Sequence, residues 1–152
     1  MTLTAQIDMK RRVVLTGGGC TLVGLTAGCL GRLPTVGVDT EFELVDPAVR
    51  VDEPPDVTAT ERTITARGTV QYGSSSCGTV ELAHAAYEQS QRRLDLLIAA
   101  ADDSSVALSC TDDLGETGYR LEATVDSTPR RVAVTEHHVF GETYSTTVDL
   151  TE

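Results

Sequence analysis

Over most of its length the chain alternates apolar and polar residues two by two. From Arg62 to Tyr72, Ile64, Ala66, Val70 and Tyr72 fall on one face. Thr63, Thr65, Arg67, Thr69 and Gln71 fall on the other, the period of a half-buried strand. The same alternation recurs in Val106, Leu108 and Cys110, and again in Tyr119, Leu121, Ala123 and Val125. It continues from Val132 and Val134 out to Phe140, and through Tyr144, Thr146, Val148 and Leu150. Turn-forming clusters separate these runs: Asp52-Glu53-Pro54-Pro55-Asp56, Gly73-Ser74-Ser75-Ser76, Asp112-Asp113-Leu114-Gly115, Ser127-Thr128-Pro129 and Gly141-Glu142. A first strand fits Glu41 to Val51, where Pro47 makes it an edge or a bent strand.

The stretch from Val80 to Ala101 admits two readings. Its alanines and leucines have high helix propensity, which suits one long helix. Alternatively, Val80, Leu82, His84 and Ala86 line one strand, and Leu94, Leu96, Ile98 and Ala100 line its neighbour, with residues 88 to 92 as the turn. Period two holds for four positions on each side, which favours the hairpin. About seven short strands at this spacing predict an all-β fold, a small antiparallel β-sandwich or barrel.

The pattern breaks down near the N-terminus. Lys10, Arg11 and Arg12 form a basic cluster, followed by Val13, Val14 and Leu15. A weakly apolar, glycine-rich stretch then leads to Thr26, Ala27, Gly28 and Cys29. A positive segment, a short apolar run and small residues before a cut mark an export signal, and a twin arginine marks the route that carries folded proteins. A membrane span is the competing reading. Spanning takes about 20 predominantly apolar residues, and residues 13 to 30 interrupt their run with five glycines and three threonines. Cys20 competes with Cys29 as the modified cysteine, but only seven residues separate it from Arg12, and it lacks the leucine expected three positions earlier. The expected organisation is a signal peptide over 1–28, a tether over 29–40 and a β-domain over 41–152. Cys29 would carry a lipid and become the mature N-terminus.

Of the four cysteines, Cys20 would leave with the signal and Cys29 would be lipidated. Cys77 and Cys110 remain, an even pair in a chain expected to reach an oxidising compartment. Joined, they would stabilise the fold by about 3.5–4 kcal/mol through the loop they close. Two free buried thiols, or a reactive thiol at Cys77, are the alternatives.

Charge adds a second constraint. Without residues 1–28 the chain keeps 22 acidic and nine basic residues, a net of −13, and all nine bases are arginine. Such a chain repels nucleic acid, whose phosphates are bound by Lys and Arg, and it is expected to offer no polybasic patch for anionic lipid. Acidic surface, arginine in place of lysine, and a Thr-Ala-Gly-Cys lipobox behind twin arginines together resemble a secreted lipoprotein of a halophilic archaeon. That resemblance rests on residues 9 to 29 and departs from the fuller motif in lacking Ser or Thr just before Arg11. It implies twin-arginine export and a diphytanyl-type lipid on Cys29, holding the protein on the outer face of the cell membrane. The rest of the chain is more loosely similar to the small uncharacterised domains such lipoproteins carry, with a cysteine near each end of a central hairpin, which again favours the hairpin.

Candidate chemistry is sparse. Glu136 and His138 share a strand face that excludes His137, and with His84 they would make three donors. No second ligand motif supports a metal there, so polar strand residues near a sheet end are the plainer reading. Asp102-Asp103 and Asp112-Asp113 lack the alternating oxygens of a calcium loop and read as solvated turns. Gly73-Ser74-Ser75-Ser76-Cys77 lacks the second glycine of a nucleophile elbow. No cofactor motif appears. The expected function is a lipid-anchored, non-enzymatic binding or envelope-accessory module, with an envelope protein or a small molecule as partner. The alternative is a small hydrolase or metal-dependent enzyme using His84, Glu136 and His138.

Overall fold

A computed structural model describes residues 37–103 and 109–150. These form eight strands and no helix: β1 (Val38–Val45), β2 (Asp56–Thr60), β3 (Thr63–Gly73), β4 (Gly78–Glu88), β5 (Arg93–Asp102), β6 (Leu114–Val125), β7 (Arg131–His137) and β8 (Thr143–Asp149). Two four-stranded sheets face one another, in the orders β1-β6-β3-β2 and β4-β5-β7-β8. They do not close on themselves, so the architecture is a sandwich and not a barrel. The signal-peptide and lipobox positions, Arg11, Arg12, Thr26, Ala27, Gly28 and Cys29, lie outside the described residues, as do Val106 and Leu108.

The alternation read from the sequence is what fills the interior. Ile64, Ala66 and Val70 of β3 and Tyr119, Leu121 and Ala123 of β6 meet Leu94, Leu96 and Ile98 of β5 and Val132 and Val134 of β7, all essentially without solvent exposure. Each fully buried aliphatic side chain of this kind contributes about 1.5–3 kcal/mol. The hairpin between Val80 and Ala101 is present: β4 and β5 pair antiparallel from Gly78↔Asp102 to Glu88↔Arg93. Strong helix propensity there gives way to burial of the two alternating faces.

Several local expectations need correction. A bulge at Ala83 shifts the register between Leu82 and His84. It exchanges the faces of β4, so that Val80, Ala85 and Tyr87 point inward and His84 points to solvent. β2 has no counterpart in the sequence reading, because its turn to β3 is only Glu61-Arg62, with Glu61 at φ 49° and no glycine or asparagine to announce it. The expected antiparallel order fails once: β5 and β7 pair parallel, since the chain crosses to β6 in the other sheet between them. β1 begins at Val38, within the stretch assigned to the tether, and β6 begins at Leu114, within a predicted turn. β7 stops at His137, leaving Phe140 exposed at the tip of the turn to β8, where Gly141 adopts φ 91°. Thr69, placed on the solvent face, is buried beneath the connector that follows β1 and donates to the Val49 carbonyl at 2.6 Å.

Candidate functional site

The sandwich has two distinct ends. At one, β1 starts beside the end of β6, with Val38 opposite Val125. At the other lie the turn from β3 to β4, the start of β6, the end of β5 and the tip between β7 and β8. Toward this second end the interior changes from hydrocarbon to polar.

Glu136, the sixth residue of β7, lies on the inward face and is fully buried. Across the gap between sheets, the Tyr119 hydroxyl donates to its Oε1 at 2.7 Å. This is an inter-sheet link between two side chains with no solvent contact. It requires a gap in the facing strand. Gly68 pairs with Tyr119 in register, and a Cβ on Gly68 would overlap both Glu136 Oε1 and the Tyr119 ring. A glycine within a strand can mark such a close approach, and it was the one cue the sequence offered. Tyr119 itself was legible only as an inward position.

His138 follows the strand and occupies the same side as Glu136. Its Nδ1 accepts the backbone N–H of Gln71 at 3.2 Å. That backbone group can only donate, so Nδ1 carries no proton, and His138 is held as the neutral ring protonated at Nε2. Nε2 faces Glu136 Oε2 at 3.6 Å, a contact too long to count as a hydrogen bond. Both atoms are buried without a hydrogen-bond partner. Tyr144 packs edge-on to the imidazole, with ring centroids 5.1 Å apart.

Burial dominates the proton affinities. It pushes the Glu136 carboxyl up to about 7, against the opposing pull of the Tyr119 hydrogen bond. It also lowers His138, with the nearby Glu142 pulling the other way. Tyr119 rises far above its ordinary value, through burial first and the neighbouring carboxylate second. The arrangement can hold a proton on Glu136 near neutrality while keeping His138 uncharged. Glu136 is a polar strand residue near a sheet end, as expected, but it and His138 are interior groups.

His84 does not join them. It sits on the outer face of β4, two strands from β7, in the row that includes Leu97 and Thr135. Among the described residues no three His, Cys, Asp or Glu side chains come together as a metal site.

Cys77 and Cys110 are joined, with Cα atoms 5.5 Å apart. The bridge ties the start of β4 to the segment before β6. Beside it, Asp113 organises the serine-rich turn. Its carboxylate accepts the Ser75 hydroxyl at 2.6 Å and the Ser75 N–H at 2.9 Å, as well as the Thr111 hydroxyl. The Ser75 hydroxyl above all, then that of Thr111, holds the Asp113 carboxyl down to about 2. Asp112-Asp113 thus goes beyond a solvated turn, since Asp113 is the acceptor around which the loop closes. The hydroxyls of Ser74, Ser75 and Ser76 are engaged with Thr111 or Asp113.

A cleft of about 510 Å³ opens between the disulfide and the ends of β5 and β7, walled by Ala99, Ala100, His137, His138 and Val139. A second, of about 550 Å³, follows the connector from Pro47 to Asp52 and includes Glu116. In the first, His138 has its Nδ1 engaged by the Gln71 N–H and its Nε2 buried toward Glu136, while His137 lines the same cleft.

Comparison with protein-family models, with curated proteins and with solved structures gave no match. The functional reading rests on the chain's own residues.

Proposed function

We propose that this chain is an exported β-sandwich held on the outer face of the cell membrane by lipid on Cys29, acting there as a non-enzymatic binding or envelope-accessory domain. One observation carries the reading. A twin-arginine segment, Arg11-Arg12, and a lipobox ending at Cys29 stand in front of a domain whose two other cysteines are bridged. A disulfide fits an oxidising, extracytoplasmic location. The alternative enzyme of His84, Glu136 and His138 draws no support from the geometry, because His84 lies on the opposite face of its sheet.

Replacement of Cys29 tests the reading directly. Cys29→Ser removes the lipid, whose buried methylenes contribute about 0.8 kcal/mol each, and the protein moves from the membrane to the soluble extracellular fraction with its disulfide intact. Unchanged membrane retention would refute the lipid anchor. Arg11→Lys combined with Arg12→Lys keeps the charge but blocks surface delivery, because the translocon reads the arginine pair as an address. Normal delivery would assign the chain to the general secretory route.

A further inference from the structure

The arginines of this acidic protein are not spread evenly over its surface. Of the eight among the described residues, five gather at the end where β1 begins: Arg62, Arg92, Arg93, Arg130 and Arg131. The fold brings them together from three separate segments. Arg93 and Arg131 are direct neighbours across the parallel pair β5–β7. The N–H groups of Arg130 and Arg131 both donate to the Arg92 carbonyl, at 2.7 and 3.3 Å. Val125 donates to the Arg62 carbonyl at 3.0 Å, and Val125 is also the partner of Val38. The chain that carries Cys29 therefore enters the domain through the arginine-bearing end.

Carboxylates interleave there, among them Glu61, Glu88, Asp126 and Asp149, so this end is close to charge balance. The opposite end is not. Asp102, Asp103, Asp112, Asp113 and Glu142 are exposed around it. Of the segments that close it, 73–78, 109–114 and 137–143 carry no arginine, and the connector 46–55 carries one, Arg50, paired with Asp52. Charge is thus polarised along the direction that runs from the tether to the far tip.

From this placement we infer that the arginine end is a membrane-docking surface, seated on the phosphates of anionic lipid headgroups, with the acidic end and its exposed Phe140 turned outward. The inference rests on the proposed lipid anchor. A domain of net −13 is repelled by an anionic surface least when its carboxylate-rich end is farthest away. Guanidinium groups suit the contact, since their fork matches phosphate oxygens two at a time. Arg93 and Arg131 now pair with Asp95 and Asp149 at 2.8 and 2.7 Å, but both pairs are exposed. Exposed pairs contribute little and can exchange a carboxylate for a phosphate. In molar salt, with a screening length of ~3 Å, the long-range repulsion is screened and only guanidinium–phosphate pairs in direct contact remain to orient the domain. The sequence hid this surface: residues 62, 92–93 and 130–131 form no basic run and become one patch only when β5, β7 and the turn after β2 converge.

The test uses the mature lipidated protein, residues 29–152, in high salt. With Cys77 and Cys110 bridged and Cys29 lipidated, a fluorophore is placed through Ser90→Cys near the arginine end, or through Glu142→Cys at the far tip. The protein is bound to vesicles of phosphatidylglycerol or of phosphatidylcholine carrying a headgroup quencher. On phosphatidylglycerol, quenching is expected to be several-fold stronger at position 90 than at 142. The contrast should collapse when Arg62, Arg130 and Arg131 are changed to Glu; Arg92, which holds the Thr128 carbonyl, is left in place. The same positions changed to Gln give a second variant, should charge reversal impair folding. Equal quenching at both positions would overturn the inference, and so would a contrast that survives both sets of substitutions or is the same on phosphatidylcholine. Flotation with the vesicles is read separately. Protein that floats but shows no contrast refutes only the docking surface, whereas protein that fails to float refutes the anchor on which it rests.

Discussion

Near the end where the chain enters, Ile64, Ala123, Leu94 and Val132 fill the space between the sheets with hydrocarbon, and the polar contact there is at the rim, where Tyr87 and Ser127 hydroxyls meet at 2.9 Å. Near the other end the same space holds Tyr119, Glu136 and, just beyond, His138, and the adjoining loops are cross-linked by Cys77–Cys110. The first region depends on exclusion of water, a term indifferent to pH and to redox state. The second contains a buried carboxyl whose charged form is disfavoured, and a covalent closure that depends on its compartment. One sandwich thus has an interior that conditions cannot readily alter and another that they can.

Cutting into the hydrocarbon region should give the largest effect, and one independent of pH. Leu94→Ala removes a fully buried side chain and should cost about 4 kcal/mol, the transfer term plus the cavity left behind. Urea unfolding at acidic and at alkaline pH should return the same loss. A loss that changed strongly with pH would mean the two regions are not separable.

Opening the disulfide comes next. Changing both Cys77 and Cys110 to Ser should destabilise the domain by about 3.5–4 kcal/mol, because the bridge limits the unfolded chain over a sequence separation of 33 residues. The same change should be tolerated best in high salt, where repulsion among the net −13 charges is screened. Mass spectrometry of unreduced protein should show the parent two hydrogens lighter than its dithiol form.

Glu136 supplies the pH dependence. Its carboxyl holds its proton up to about 7 when folded, against 4.5 ordinarily. A raised pKa means the contribution is complete below pH 4.5, erodes through the interval up to about 7, and is lost above it. Glu136→Gln cannot ionise. Relative to the parent, it should gain about 3 kcal/mol between pH 4.5 and alkaline pH. Paired urea titrations measure this difference free of the other carboxylates, and a constant difference across that range would remove the titrating role. His138 acts with the opposite sign. Held neutral below its ordinary 6.5, it costs stability as pH falls below that value.

The smallest expected effect sharpens the comparison. Tyr119→Phe deletes the one hydroxyl that Glu136 accepts and should cost about 1.5–3 kcal/mol when the carboxylate is charged. Because that hydrogen bond lowers the Glu136 pKa, its loss should move the pH-dependent transition upward. Carboxyl titration followed by NMR would detect a shift in the wrong direction.

What could be read before folding follows from locality. Alternation at Ile64 and Ala66, at Tyr119, Leu121 and Ala123, and at Val132 and Val134 is a property of neighbouring residues, and it marked the inward faces of β3, β6 and β7 because a strand's side chains must alternate. The all-β class followed from it. The twin arginines and the Thr-Ala-Gly-Cys string, proposed as export signal and lipobox, are likewise local, since signals of that kind are read as linear strings. The pairing of Cys77 with Cys110 was expected from the parity of cysteines and the compartment.

Other features depend on residues far apart in the chain, and only the assembled sandwich decides them. The bulge at Ala83 reverses the face of His84, and no side chain announces a one-residue insertion into a ladder. β5 and β7 run parallel because β6 was drawn into the opposite sheet. Glu136 is interior because Gly68, 68 positions earlier, leaves room for it and Tyr119 supplies a donor from the other sheet. Five arginines become one surface for the same reason. Alternation tells each strand which side faces inward, but it carries no information about which strand will lie opposite. The chemistry of a buried polar group is set by what lies opposite it.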